Sequence, residues 1–217
     1  AGAKPAAKSG TSCESCHGAS SDWLAIHDNY GGKDVKREQE AADHKSKRVA
    51  DSTAAGLIWP TMKYEVAENC MTCHGLAHPG LKADDLAKML GAGHPINPGF
   101  ELVKYSQGSV RHRHYPPDIK TNAEMTPQEL AQIYLVGQAA ALVSATEVIS
   151  KSSEAKYKEA QSKRVEIAKS ALGGVSEAAG LLAAPTRENA IKFVQSIAGK
   201  DLTGAVGSKL PAKSDYK

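Results

Sequence analysis

The chain has 217 residues, of which 41% are hydrophobic, only 5% aromatic and 24% charged, with a formal net charge of +3. That length suits one sizeable domain or two small ones with a thin apolar core. It contains no run of 18 uncharged apolar residues, which excludes a membrane-spanning helix, and no concentrated basic stretch, which excludes a nucleic-acid-binding surface. Lys45-Ser46-Lys47-Arg48 is read as the solvated face of a charged helix.

Residues 1–12 are small and polar and predict an irregular lead-in. Val35 to Ile58, rich in Glu, Lys, Arg and Ala and free of Pro, predicts a helix ended by Trp59-Pro60. Residues 64–74 predict a short helix, and Ala83 to Leu90 another, stopped by Gly91 and Gly93. Residues 94–125 read as loop. Thr126-Pro127-Gln128-Glu129 is a strong helix start: an N-cap Thr, Pro at the first helical position and Glu closing a capping box. Leu130, Ile133, Tyr134, Gly137, Ala141 and Val148 then form one face at helical spacing. Ser152-Ser153 marks a break, a second helix runs from about Glu154 to Leu172, and Gly173-Gly174 ends it. These two helices predict an antiparallel hairpin. Thr186 to Ala198 predicts a further helix, followed by a tail with little reason to be ordered unless it docks. No alternating β pattern of useful length appears. The expected class is all-α, with a first half (1–125) of short helices and loops and a helical half (126–217).

The first half contains Cys13-Glu14-Ser15-Cys16-His17 and Cys70-Met71-Thr72-Cys73-His74, and these make 1–125 the expected haem-bearing half. C-x-x-C-H is the attachment signature of c-type haem. The two thiols become thioether anchors, and the adjacent histidine becomes the proximal iron ligand. The two motifs account for all 4 cysteines. A shared zinc is the rival reading, but zinc-binding pairs are separated by about 12–20 residues, and more than fifty lie between Cys16 and Cys70. A thioredoxin-type dithiol needs a βαβ setting, and neither alternative needs the histidine. Two covalently bound haem c groups are therefore expected. Their propionates bring the whole close to neutral or slightly acidic. Haem attachment takes place outside an energy-transducing membrane, so a periplasmic or otherwise exported location is expected. The opening Ala1-Gly2-Ala3-Lys4-Pro5 reads as a processed mature start.

A haem that shuttles electrons needs a sixth iron ligand, whereas an open position invites small-molecule chemistry. The supply beyond His17 and His74 is His27, His44, His78, His94, His112 and His114, with Met62, Met89 and Met125. His94 ranks first because Gly93 and Pro95 fix its backbone, followed by His112 and His27. His44, in a charged helix, reads as a surface or hydrogen-bonded residue. His78 is only four residues past His74 and cannot swing to the far side of the same iron. Met62 is the best methionine. The region after residue 125 has no His, Cys or Met and reads as structural, as a dimerisation element or as a docking element.

With these residues in view, the chain resembles the cytochrome c554-like multihaem cytochrome c group, in its small dihaem members. The likeness is carried by C-x-x-C-H followed by Trp23-x-x-x-His27, by Asn69 before the second motif and by Gly93-His94-Pro95. It continues through Phe100-Glu101-Leu102-Val103-Lys104-Tyr105-Ser106-Gln107-Gly108-Ser109-Val110-Arg111-His112 and Ile133-Tyr134-Leu135-Val136-Gly137-Gln138-Ala139. It covers roughly residues 10–172 and implies periplasmic electron transfer through closely spaced, mostly bis-histidine haems. With two attachment motifs the relay is shortened. The leading expectation is an electron-transfer protein working between donor and acceptor redox proteins. The alternatives are a small haem oxidoreductase or gas-binding protein, with Arg111 to Tyr115 near one open iron, and a subunit docking or dimerising through its C-terminal helices.

Overall fold

Residues 13–107 and 124–217 are described by a computed structural model, all-helical with no strand among them. Two compact units divide the chain after Pro60. The division falls far before the expected one at 125, because the helix bearing the second motif shares its core with the C-terminal helices.

The first unit holds α1 (Glu14–His17), α2 (Leu24–His27) and α3 (Ala42–Ala54). α3 is shorter than the predicted 35–58. A separate 3₁₀ turn, Arg37–Gln39, precedes it, and Gly56 ends it in a left-handed conformation (φ +97°). α2 packs on α3, with Trp23 and Leu57 as the buried apolar residues. The Arg48 guanidinium lies over the rings of Tyr30 and Trp59, 5.0 and 5.7 Å from their centroids.

The second unit holds α4 (Lys63–His74), α5 (Ala83–Gly91), α6 (Leu102–Ser106), α7 (Pro127–Val148), α8 (Ala155–Leu172), α9 (Ala179–Ala183), α10 (Arg187–Ser196) and α11 (Thr203–Val206). α7 starts on the capping box that its sequence announces. Thr126 N–H and Oγ1 donate to the Glu129 carboxylate at 2.7 and 3.0 Å, and Oγ1 accepts from Glu129 N–H at 3.2 Å. The single apolar face expected of it is too narrow a description, since every residue from Ala131 to Ala145 is buried. α4, α6, α8, α10 and α11 all pack on α7, so it is buried all round. Gly137, Ala139, Ala140 and Ala141 are thereby occupied inside this unit. A second cluster, Leu76, Leu86, Leu90, Val148 and Tyr157, fixes α5.

Two elements depart from the sequence reading. α6 forms within the expected loop because the Glu101 carboxylate accepts from the amides of Val103 and Lys104 at 2.9 and 2.8 Å. The tail docks: Leu202 and Val206 are buried, Leu210 and Tyr216 pack on the core, and Lys217 N–H donates to the Lys104 carbonyl at 2.9 Å.

Candidate functional site: two C-x-x-C-H motifs on helix ends

The first motif closes one helical turn, with His17 N–H donating to the Cys13 carbonyl at 2.9 Å. The Glu14 carboxylate accepts from Ser20 N–H and Oγ at 2.7 and 2.6 Å and locks the exit of the turn. The segment after α3 then grips the histidine twice. Ile58 N–H donates to the His17 carbonyl at 3.0 Å, and His17 Nδ1–H donates to the Ile58 carbonyl at 2.7 Å. A carbonyl can only accept, so Nδ1 carries the hydrogen and Nε2 the lone pair. This is the tautomer of a histidine that ligates metal through Nε2 and is oriented by a backbone carbonyl. Gly18 makes the grip possible, since its φ is +82° and a Cβ there would lie 2.5 Å from the Gly56 carbonyl oxygen.

The second motif ends α4. Cys70 is half-buried against the core, Met71 is fully buried, and Cys73 and His74 are exposed on the last turn. The His74 ring stacks on Phe100 with centroids 3.9 Å apart and planes at 12°, and Tyr105 lies 5.7 Å from it. Burial against these rings, aided by the nearby Arg164 charge, lowers the His74 pKa and favours the neutral imidazole that metal ligation needs. The carbonyls that α4 leaves open are met from α8. Tyr157 Oη donates to Leu76 at 3.2 Å, Gln161 Nε2 to Gly75 at 2.8 Å and Arg164 Nη2 to His74 at 3.0 Å.

None of the four cysteines is in a disulfide. Among the described residues, no three His, Cys, Asp or Glu side chains converge into a cage for a bare metal ion. A haem fits the residues around both motifs better. The two large apolar side chains left exposed among the described residues are Leu24, 58% exposed in the first unit, and Tyr105, 40% exposed beside His74. Each gives apolar surface for a macrocycle to cover. The buried Trp23 Nε1 has no hydrogen-bond partner among the described residues, a donor suited to an acceptor such as a propionate.

Of the distal candidates, His27 ends α2 in the first unit. Its Nδ1–H donates to the Leu24 carbonyl at 2.8 Å, and its ring meets Trp23 edge-on at 5.1 Å. His94 lies in the second unit just past α5, with Nδ1–H donating to the Pro95 carbonyl at 2.8 Å. Both hold the tautomer with the lone pair on Nε2. His78 holds the opposite one, because its Nδ1 accepts from Gly80 N–H at 3.0 Å. His112 and His114 lie outside the described residues. Met125 is a core residue, buried with α7.

The sequence reading missed what surrounds His44. Its Nδ1–H donates to Glu40 Oε1 at 2.8 Å. Arg48 grips the same carboxylate through Nε and Nη2 at 2.7 and 2.6 Å, and the Glu40 side chain has no exposed surface. The Arg48 hydrogen bond, followed by that of His44, holds the Glu40 carboxyl at about 2. His44 is thus a carboxylate-oriented histidine, a recurrent arrangement of metal-ligating imidazoles. The Glu40, His44, Arg48 spacing (i, i+4, i+8) was the available signal, hidden in a segment read as solvated.

No family model, curated protein or solved structure matches the chain. Among the described residues no helix is long and apolar enough to cross a membrane.

Proposed function

We propose that this chain is a dihaem c-type cytochrome that carries single electrons between redox partner proteins in the periplasm or another exported location. The observation that carries the reading is the pair of C-x-x-C-H motifs that uses every cysteine, each with its histidine on the last residue of a helix. Haem bound at the motifs supplies one-electron iron chemistry. Cys13, Cys16, Cys70 and Cys73 anchor it, and His17 and His74 hold the irons from the proximal side. Ile58 fixes the His17 tautomer, and Phe100 with Tyr105 sets the plane of His74. His94, His27 and His112 are the proposed distal ligands. The short helices and loops up to residue 125 wrap the haems, and α7 with α8 forms an antiparallel hairpin behind the second. The proposed donor and acceptor are proteins, and no nucleic acid is involved. The oxidoreductase alternative rests on Arg111 to Tyr115, which lie outside the described residues.

The test is expression alongside a haem-attachment system, followed by denaturing mass analysis. Two covalent haems are expected, one lost when Cys13 and Cys16 become Ala and the other when Cys70 and Cys73 do. Low-spin electron paramagnetic resonance signals, one turning high-spin when a distal histidine becomes Ala, would support six-coordinate electron-carrying irons. A chain that leaves the attachment system without haem would end the reading, and a high-spin wild-type signal would turn it toward the enzyme.

A further inference from the structure

Arg164 carries the most buried charge among the described residues of the second unit, and none of them balances it with an opposite charge. Its side chain is 1% exposed. Its partners are neutral: the carbonyls of His74 and Asn97, each 3.0 Å from Nη2, the Gln161 Oε1 at 2.5 Å and, at 3.5 Å, the Gly75 carbonyl. Nε has no hydrogen-bond partner among the described residues. Among the described residues Arg164 makes no ion pair, although the unit pairs Arg187 with Glu65 and Glu68, and Lys213 with Glu124, on its surface.

A buried cation without an anion is costly, and replacing it with an apolar residue of similar volume is commonly neutral or stabilising. Capping α4 explains part of its placement, because the carbonyl end of a helix carries partial negative charge. Capping does not require a full charge, since Gln161 and Tyr157 perform the same service as neutral donors one turn and two turns away along α8. What sets Arg164 apart is its contact: it holds the backbone carbonyl of His74 itself.

We propose that Arg164 is a positioning residue that sets the reduction equilibrium of the iron bound by His74. This inference rests on the dihaem reading. One electron passes from a one-electron donor to the iron; the iron is reduced, the donor is oxidised, and no bond or proton changes place. The iron site gains one negative charge. A fixed cation in a water-poor setting, bonded to the backbone of the ligand residue itself, favours the reduced form far more than a solvated cation would. Gln161 and Asn97 hold the guanidinium still, so that charge is in place before the electron arrives.

The test is a spectroelectrochemical titration of the full-length holoprotein with redox mediators, comparing wild type with Arg164→Gln, Arg164→Lys and Gln161→Glu. Arg164→Gln removes the charge and keeps a donor. One of the two haem waves should fall by about tenfold or more in its reduction equilibrium constant, about 59 mV for a one-electron couple, while the other stays. Arg164→Lys, which keeps the charge, should hold the wild-type value. Gln161→Glu sets an anion against an intact Arg164 and should lower the same wave, so the question stays answerable if Arg164→Gln fails to fold. Wild-type potentials in both Arg164→Gln and Gln161→Glu would overturn the proposal and leave the dihaem reading standing. An unattached haem at Cys70 and Cys73 in the wild-type chain would remove both.

Discussion

Replacing Gly137 with Ala sets helix propensity against packing, and the outcome reports whether α6 sits where it must to present Tyr105 to His74. Gly137 is in the middle of the 22-residue α7. In an unhindered helix interior, Gly→Ala gains about 1 kcal/mol. Here a Cβ at position 137 would lie 2.9 Å from Leu102 Cβ, in the first residue of α6. Carbon atoms pack best at about 3.5–4.0 Å, so α6 would have to retreat by roughly 0.6 Å or more (3.5 less 2.9). Over-packing of that kind costs about 1–3 kcal/mol. The net expectation is a loss of about 1 kcal/mol, near 2 kcal/mol away from what propensity alone gives.

Urea unfolding of the single and double variants measures this, read from the midpoint at constant slope. Leu102→Gly removes the opposing Cβ. In that background Gly137→Ala should become stabilising, and the cycle should show a coupling of about 1–3 kcal/mol. A stabilisation of about 1 kcal/mol by Gly137→Ala in the wild-type background would refute the reasoning. It would mean that α6 does not rest on Gly137, and the placement of Tyr105 beside His74 would lose its support.

Three further outcomes follow from the same contacts. The Glu40 carboxyl is held at about 2, well below its ordinary 4.5; its contribution is therefore complete above about pH 4.5 and lost as pH falls toward 2. Glu40→Gln should flatten acid unfolding of the first unit across that window, followed by limited proteolysis within residues 13–60, and an unchanged acid limb would contradict the buried pairing. Arg48→Met leaves the Glu40 carboxylate with His44 as its one remaining side-chain partner and should destabilise the first unit, seen as cleavage near Trp59 at lower urea than in wild type. Leu172→Ala deletes a fully buried side chain from the main core and should lower the stability of the second unit by about 2–5 kcal/mol by thermal unfolding; a loss under 1 kcal/mol would mean that α8 is not packed as described.

What the sequence made legible was chemistry confined to a few consecutive residues. The Thr126 capping box and the Thr186 cap, whose Oγ1 accepts from Asn189 N–H at 3.3 Å, need only neighbours in the chain, and both helices start where those residues stand. The two C-x-x-C-H motifs are equally local, and each histidine ends a helical turn. α6 was not legible because five residues make one turn, and that turn is held by Glu101 and by a glycine thirty-five positions away. Nor was the full burial of α7, because periodicity within one helix does not count how many partners surround it. Tyr157, Gln161 and Arg164 share one helical face, but on a segment as charged as 154–172 such residues read as solvent-facing. Only the open carbonyls at the end of α4, ninety residues earlier, give them a purpose.

The histidines show how structure reorders a list that sequence can only compile. By type and position His27, His44, His78 and His94 were separated by spacing and by the company they keep. Their ring hydrogen bonds separate them by tautomer. Three donate from Nδ1 and leave the lone pair on Nε2, and His78 does the reverse. A donor ring oriented in advance loses less freedom on ligation than a ring that must first be fixed, and one oriented by a carboxylate is also the more basic ligand. Among the described residues, the first unit therefore contains, besides His17, two histidines with the lone pair on Nε2, and the second contains, besides His74, one. On the proposed reading each unit carries imidazoles enough to complete an iron from its own residues. His44, set aside by its charged neighbours in the sequence, belongs with His27 and His94 for that reason, because Glu40 fixes its ring as firmly as any backbone carbonyl fixes the others.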